Sequence, residues 1–195
     1  MDMEKKYGFT GEMKACGDIT LRRIVALRDF GDVKAGDKGG WIEKEENLSQ
    51  NVDAWVCGDA RVYGNALVCG NARVCDNARV CDNAWVRGDA RVYDNAWVFG
   101  DAWVRGDARV CGNVQVCGNA QVTSESDYIV FKNFWSSGRY FTYTFSNRMW
   151  KVGCFYGTGE ELIKKAYADS EDSGWHYEQA VRYAEAAEQR RKKMI

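Results

Sequence analysis

The chain has 195 residues, of which 46% are hydrophobic, so it is long enough to bury a folded core and its composition argues against disorder. Its 27 basic and 28 acidic residues nearly cancel, which gives no reason to expect nucleic acid or an anionic membrane as a partner. No apolar run approaches the length of a membrane span, and the start MDMEKKYGFT lacks the features of a secretion signal, so we expect a cytoplasmic protein.

Residues 1–46 contain an extended stretch, ITLRRIVALRDF (19–30), followed by a glycine-rich segment that is typical of loops. These residues precede a long periodic region. We therefore predict a small N-terminal β cap over 1–46.

Residues 47–123 carry a hexapeptide repeat with the unit V-x-[GD]-[ND]-A-x. Valine returns at every sixth residue from Val56 to Val122, and alanine keeps the same period from Ala54, with Val114 as the one change. Valine suits an inward-facing strand position, the polar pair supplies a turn, and alanine fits a crowded corner. Internal repetition of this kind predicts a stack of coils.

This repeat resembles the hexapeptide-repeat proteins that form a left-handed parallel β-helix, in which three hexads make a triangular coil. The resemblance implies a mainly β fold with residues eighteen apart as neighbours, and the left hand rests on it alone, since parallel crossovers are generally right-handed. The segments ALRDFGDVKAGDKGGWIEKEENLS, before the repeats, and DYIVFKNFWSSGRYFTYT, after them, also resemble uncharacterised phage and prophage proteins of this type. If the chain is phage-encoded, its location is the cytoplasm of the host cell.

Residues 124–195 break the period. Aromatic strands at 128–135, 139–146 and 149–156 predict a three-stranded antiparallel meander, and helical patterns follow at 159–168 and 175–193. A β-helix exposes strand edges at its ends, so we expect this region to cover one of them.

The variable residues that flank each valine point outward and form three faces. The first face carries Trp55, Arg73, Arg91 and Arg109 beside Cys57, Cys75, Tyr93 and Cys111. The second carries Arg61, Arg79, Trp97 and Gln115 beside Tyr63, Cys81, Phe99 and Cys117. The third carries Leu67, Trp85, Trp103 and Gln121 beside Cys69, Arg87 and Arg105.

Such aromatic faces indicate an interface, and the resemblance implies a homotrimer with ligand sites in the clefts between subunits. The alternative is packing of arginine on aromatic rings in adjacent coils of one chain.

Cysteine and histidine usage bears on metals and cofactors. Six cysteines share one repeat column with Tyr, Arg and Phe, which indicates free thiols, although Cys57 and Cys75 are predicted neighbours that could crosslink on oxidation. No CxxC pair occurs and His176 is the only histidine, so we expect neither a metal site nor a cofactor.

Two places combine arginine with aromatic rings, as an anionic, nucleotide-like ligand requires. The first comprises Trp85, Arg87, Trp103 and Arg105 on the third face. The second lies in the turn NFWSSGRY and comprises Ser136, Ser137, Gly138, Arg139 and Tyr140, where small residues could aim backbone N–H groups at an anion. The alternative for this turn is an ordinary hairpin.

Three functions remain open. Acyltransferases with this helix use a histidine base near the coils, and no histidine occurs in the coils here, so we expect no catalytic residue. We predict a non-catalytic oligomer that binds and sequesters a nucleotide-like ligand, such as a host immune signal. The alternatives are a module that binds a host protein or has a structural role and, third, a hexapeptide acyltransferase.

Overall fold

The computed structural model describes residues 5–193. The fold is mainly β: a β-solenoid of about five turns, with antiparallel strands at its N-terminal end and an antiparallel sheet and two helices at its C-terminal end. The predicted fold class is confirmed in these features, and the left hand of the coil stays a prediction.

Three N-terminal strands come first, β1 (Tyr7–Cys16), β2 (Ile19–Ala26) and β3 (Lys38–Ile42). Twelve two-residue strands then form the solenoid: β4 (Trp55–Val56), β5 (Arg61–Val62), β6 (Leu67–Val68), β7 (Arg73–Val74), β8 (Arg79–Val80), β9 (Trp85–Val86), β10 (Arg91–Val92), β11 (Trp97–Val98), β12 (Trp103–Val104), β13 (Arg109–Val110), β14 (Gln115–Val116) and β15 (Gln121–Val122). Every third strand lies in the same sheet, so the solenoid has three faces, each formed by parallel strands.

Successive coils are held together by backbone hydrogen bonds. The Trp55 N–H donates to the Ala72 carbonyl at 2.9 Å, and the Cys57 N–H donates to the Val74 carbonyl at 2.9 Å. Parallel pairing of Trp55 with Arg73, and of Arg73 with Arg91, confirms that residues eighteen apart are neighbours. The repeated valines and alanines fill the interior and are almost fully buried.

The second residue after each repeat valine from Val56 to Val116 turns the chain with a positive φ, which explains the choice between glycine and aspartate there. Gly88 has φ 72°, and a Cβ on it would lie 3.0 Å from the backbone nitrogen of Gly106 in the next coil. Asp76 takes the same conformation at φ 59°, which aspartate tolerates better than most residues.

The N-terminal cap merges with the coils. Strands β1 and β2 pair antiparallel, but β3 pairs parallel with β5 through Trp41 and Arg61. Leu48 then bridges to Val68. The coil stack therefore begins at β3, inside the segment 1–46 that we assigned to the cap, because Trp41 and Leu48 follow the coil register without the hexad consensus.

The cap also satisfies backbone groups at the first coil. Lys6 is buried, and its Nζ donates to the carbonyls of Ala54 at 2.8 Å and Val52 at 3.2 Å. Burial lowers the pKa of Lys6 to about 8. The side-chain amide of Asn47 donates to the Ala66 carbonyl at 2.8 Å. These side chains supply the donors that a preceding coil would otherwise provide.

The C-terminal sheet has four antiparallel strands, β16 (Tyr128–Lys132), β17 (Tyr140–Thr144), β18 (Met149–Val152) and β19 (Phe155–Gly157). The predicted third strand, 149–156, is split because the chain turns at Gly153 with φ 55°. Two side chains cap the last coil, since Thr142 Oγ1 accepts from the Gln115 N–H at 3.1 Å and Ser146 Oγ accepts from the Gln121 N–H at 2.8 Å.

Two helices close the chain, α1 (Gly159–Asp169) and α2 (Glu171–Lys192). Helix α2 begins four residues before the predicted position because Ser170 caps it, accepting from the Ser173 N–H at 3.1 Å. Within residues 5–193, neither helix combines the length and the apolar character needed to cross a membrane.

The junction between β3 and the coils is testable by Gly40→Ala. A Cβ at Gly40 would lie 2.8 Å from both the Ala60 carbonyl oxygen and Val56 Cγ1. We expect this change to lower the free energy of unfolding by about 1–3 kcal/mol through overpacking. Gly8→Ala is the matched control, because its Cβ would meet only the Leu27 side chain at 3.4 Å. Equal stability of the two variants in denaturant titrations would contradict the described packing of β3.

Candidate functional site

A groove with a cavity of about 630 Å³ lies over the first face of the solenoid. Its floor is formed by strands β7, β10 and β13, which present Arg73, Arg91 and Arg109 in one column. Adjacent strands are about 4.8 Å apart, so the column extends over about 10 Å along the coil axis.

The column places like charges side by side. Arg73 pairs with Arg91 in the strand register, and Arg91 pairs with Arg109. Burial, and to a smaller extent the neighbouring charge of Arg91, lower the pKa of Arg73. Repulsion between stacked guanidinium groups is unfavourable unless anions lie nearby.

The N-terminal cap forms one end wall of the groove. Phe30 and Val33 exchange backbone hydrogen bonds of 3.1 and 2.9 Å, which forms a tight turn at Gly31 and Asp32. Asp32 forms an ion pair with Arg73, whose side chain is 22% exposed. Phe30 also packs edge-on against Trp55, so this aromatic residue of the first face is buried beneath the cap.

The segment after the last coil contacts Arg109, at the other end of the column. The Tyr128 hydroxyl donates to the Arg109 carbonyl at 2.9 Å, and burial raises the pKa of Tyr128 to about 12. The Glu125 carboxylate lies 3.9 Å from Arg109 Nε, and both side chains are more than half exposed. An exposed pair at this distance is weak, so Arg109 is only loosely neutralised.

Arg91 occupies the centre of the column. Among residues 5–193, ion pairs link Arg73 to Asp32 and Arg109 to Glu125, and none involves Arg91. Arg91 is exposed and lines the groove. The middle of the groove therefore presents a guanidinium group whose donors are open to an incoming anion.

Aspartates lie along the rim of the groove and have other partners. Asp89 accepts from the Asn71 amide at 2.9 Å, and Asp76 accepts from the Asp94 N–H at 3.3 Å. Asp53 also lines the groove, and its charge acts on Lys6. The groove thus has a positive centre and negative rims, an arrangement that suits a small anion better than a long polyanion.

Tyr93 adds an aromatic ring beside Arg91, because the two residues flank Val92 and both point outward. A hydrogen bond with the Cys111 thiol raises the pKa of the Tyr93 hydroxyl. Half-buried Tyr93 thus supplies a ring plane in the same groove as the guanidinium group.

Cys57 and Cys75 also line the groove and form a disulfide, with their Cα atoms 4.6 Å apart. The free-thiol prediction is wrong for this pair, and the prediction that Cys57 and Cys75 are stacked neighbours able to crosslink is confirmed. The coil register explains the difference, because it places the two side chains next to each other on adjacent strands.

The residues of the first predicted ligand site lie close together on the third face, but their side chains contact one another. Trp85 and Trp103 stack at 5.2 Å with an interplanar angle of 6°, and the Arg87 guanidinium lies 5.0 Å from the Trp103 ring. Arg105 keeps a buried Nε without a partner. Packing between coils accounts for the positions of Trp85, Trp103 and Arg87. Ligand binding at this place stays a prediction.

The second predicted site lies in the turn between β16 and β17. The Ser136 N–H donates to Asn133 Oδ1 at 2.9 Å, and the Gly138 N–H donates to the Asn133 carbonyl at 2.7 Å. The Arg139 N–H is directed at Ser137 Oγ, 3.4 Å away. These donors are used within the turn, which favours the hairpin alternative. Ser137, Arg139 and Tyr140 do line a cavity of about 220 Å³, where binding stays a prediction.

The sequence did not single out the groove over the first face as a candidate site, although its arginines were assigned to that face. The available signal was arginine at three successive positions eighteen residues apart. We favoured the third face because of its tryptophans. The wall that turns one end of a flat column into a groove comes from the turn at Asp32, and the repeat pattern does not indicate it.

Comparisons with known proteins agree with the coil architecture. The family model described as the YdcK β-solenoid repeat matches residues 54–70, 72–88 and 90–106. A protein of Escherichia coli named uncharacterized acetyltransferase YdcK is 37% identical over 60 residues, which are 27% of this chain and 18% of that protein. The chain therefore spans less than a fifth of the length of this relative. The chain is a β-solenoid repeat protein whose coils are similar to the YdcK repeat over the matched residues.

Proposed function

We propose that this β-solenoid is a non-catalytic binding protein that takes a small anionic, nucleotide-like ligand in the groove over its first face. The observation that carries the proposal is Arg91, a guanidinium group with no ion-pair partner among the described residues, at the centre of an arginine column. Guanidinium groups bind phosphate oxygens through charge-assisted hydrogen bonds.

The size and lining of the groove support a small molecule. A cavity of about 630 Å³ is within the range of roughly 300–1,000 Å³ that small-molecule sites occupy. Tyr93 offers a ring on which a base can stack, at about 1–3 kcal/mol per base. The rim aspartates would repel a nucleic acid backbone, which favours a single nucleotide-like ligand.

Sequestration is the form of activity that we propose for such a site. A protein that binds a nucleotide without transforming it lowers the free concentration of that nucleotide. A nucleotide immune signal of a host cell is the target that we favour, by analogy with the class of protein that the sequence resembles. Binding of a host protein on an exposed face is the runner-up.

Acetyl transfer is a second candidate because the similar Escherichia coli protein is named an acetyltransferase. The coils contain no histidine. His176 belongs to α2, where its ring stacks on Trp135 at 4.4 Å and its Nε2 lies 3.8 Å from Asp172. Its neighbour Tyr177 is part of a C-terminal core that is separate from the core of the coils. This location favours a packing role for the only histidine.

Self-association on the third face is part of the proposal. Trp85 is 36% exposed and stacks on Trp103, so the two rings form a flat apolar strip. A strip of this kind is typical of subunit contacts, and we propose a homotrimer.

The groove proposal predicts that Arg91→Gln weakens nucleotide binding about tenfold or more, because a hydrogen bond to a charged group contributes roughly 1.5–3 kcal/mol. Calorimetric titration of the full chain with AMP and with a cyclic dinucleotide measures this effect. Arg182→Gln is the control, since Arg182 lies on α2 and pairs only with Glu178 and Glu185 at the surface. Arg105→Gln and Arg139→Gln report on the two sites predicted from the sequence.

Binding that is lost only in Arg105→Gln or Arg139→Gln would move the site away from the groove. The absence of heat with every nucleotide, together with no ligand released from the purified protein by heating, would contradict the proposal. Binding of a host protein would then become the leading hypothesis.

If the protein is not an enzyme, as we propose, no acetyl transfer is expected when it is incubated with acetyl-CoA and a panel of amine and hydroxyl acceptors. The reason is that the groove residues named above include no histidine to act as base. Mass spectrometry of the acceptors measures acetylation. Acetylation that disappears in His176→Ala would establish the acetyltransferase function instead.

The proposed homotrimer predicts that light scattering at micromolar concentration gives the protein a mass three times that of one chain. Trp103→Glu is expected to reduce this to the monomer mass, because it places a charge in the stacked strip. Trp175→Glu is a control on an exposed tryptophan of α2. A monomeric wild-type protein would contradict the trimer, and an unchanged mass for Trp103→Glu would exclude the third face as the contact.

A further inference from the structure

The ligand of the groove can be specified further from the different states of its three arginines. Arg73 is largely buried and forms an ion pair with Asp32. Arg91 has no such partner among the described residues. Arg109 is 55% exposed and faces Glu125 at 3.9 Å, so it can exchange this weak contact for a better one. Two adjacent guanidinium groups, those of Arg91 and Arg109, are therefore available together.

We propose, on the basis of the function proposed above, that the groove selects ligands with a diphosphate group laid along the coil axis, in particular nucleoside diphosphates. This proposal rests on the pair Arg91 and Arg109, which the parallel register places opposite each other on neighbouring strands.

The length of a diphosphate favours two phosphoryl groups over one. A guanidinium group is satisfied best by two oxygens in a bidentate contact. A single phosphate ester carries its three acceptor oxygens on one phosphorus atom, so its contacts concentrate at one position of the column. A diphosphate carries oxygens on two linked phosphorus atoms and can give one phosphoryl group to each arginine, because the long arginine side chains can converge from strands about 4.8 Å apart.

The surroundings orient the ligand. Tyr93 directly follows β10, the strand that carries Arg91 at the centre of the column, and its hydroxyl reaches Cys111 near the Arg109 end. A base that stacks on Tyr93 thus stays within reach of a diphosphate on Arg91 and Arg109. At the opposite end, Asp32 would repel a phosphoryl group placed on Arg73.

Calorimetry with AMP and ADP in the presence of a chelator measures what the second phosphoryl group contributes to affinity, because the two ligands share the same base and sugar. We expect ADP to bind about tenfold more tightly than AMP, the gain typical of one more charge-assisted contact. Arg109→Gln is expected to remove this preference, because it weakens ADP binding more than AMP binding. Glu125→Gln is expected to increase the preference, because it removes the carboxylate that competes for Arg109. Arg182→Gln serves as the control for both variants.

The outcomes separate this inference from the function on which it rests. Equal affinity for AMP and ADP, with both lost in Arg91→Gln, would overturn the diphosphate inference and leave the binding function intact. A preference for ADP that persists in Arg109→Gln would also overturn it. Failure of both ligands to bind would overturn the binding function itself. Inorganic pyrophosphate is the last probe: binding as tight as that of ADP would contradict the nucleoside part of the assignment.

Discussion

The hydrogen bonds between successive coils are the interaction on which the rest of this structure depends. Each coil donates its backbone N–H groups to the carbonyls of the next, as in the 2.9 Å bond from Arg73 to Ala90. Within the stack this arrangement satisfies the backbone, but each end is left with unpaired groups. The buried amine of Lys6 supplies donors at the first coil, and the hydroxyls of Thr142 and Ser146 supply acceptors at the last.

The same register stacks identical or similar side chains, with effects that depend on their chemistry. Amides and carboxylates at the turns gain from it, as when the Asn65 amide donates to Asn83 at 3.2 Å and the Asn83 amide donates to Asp101 at 2.9 Å. Arginines do not, because stacking brings like charges together. A column of three arginines is thus a local conflict in an otherwise consistent repeat, and such conflicts concentrate at functional sites.

The similarity to the YdcK repeat covers the scaffold and only part of the groove. The matched residues extend from 54 to 106 and include Arg73 and Arg91, whereas Arg109 and the acidic residues Asp32 and Glu125 lie outside them. The similarity therefore covers the strand stack and two of the three arginines, but not the acidic partners of the column. For this reason the name of the relative is weak guidance to activity here.

The sequence by itself determined the coils, because valine and alanine at a strict period of six leave one way to bury every valine and to pair residues eighteen apart. It also indicated the capping regions and the two helices, with errors at the start of α2 and in the third C-terminal strand, where a serine cap and Gly153 set the boundaries. Only the tertiary structure showed which face carries a groove. The pairing of Arg73 with Asp32 joins residues that are distant in the chain and outside the period, so this contact follows from how the N-terminal cap folds over the stack. The stacking of Trp85 on Trp103 likewise depends on side-chain geometry, which a periodic pattern does not specify.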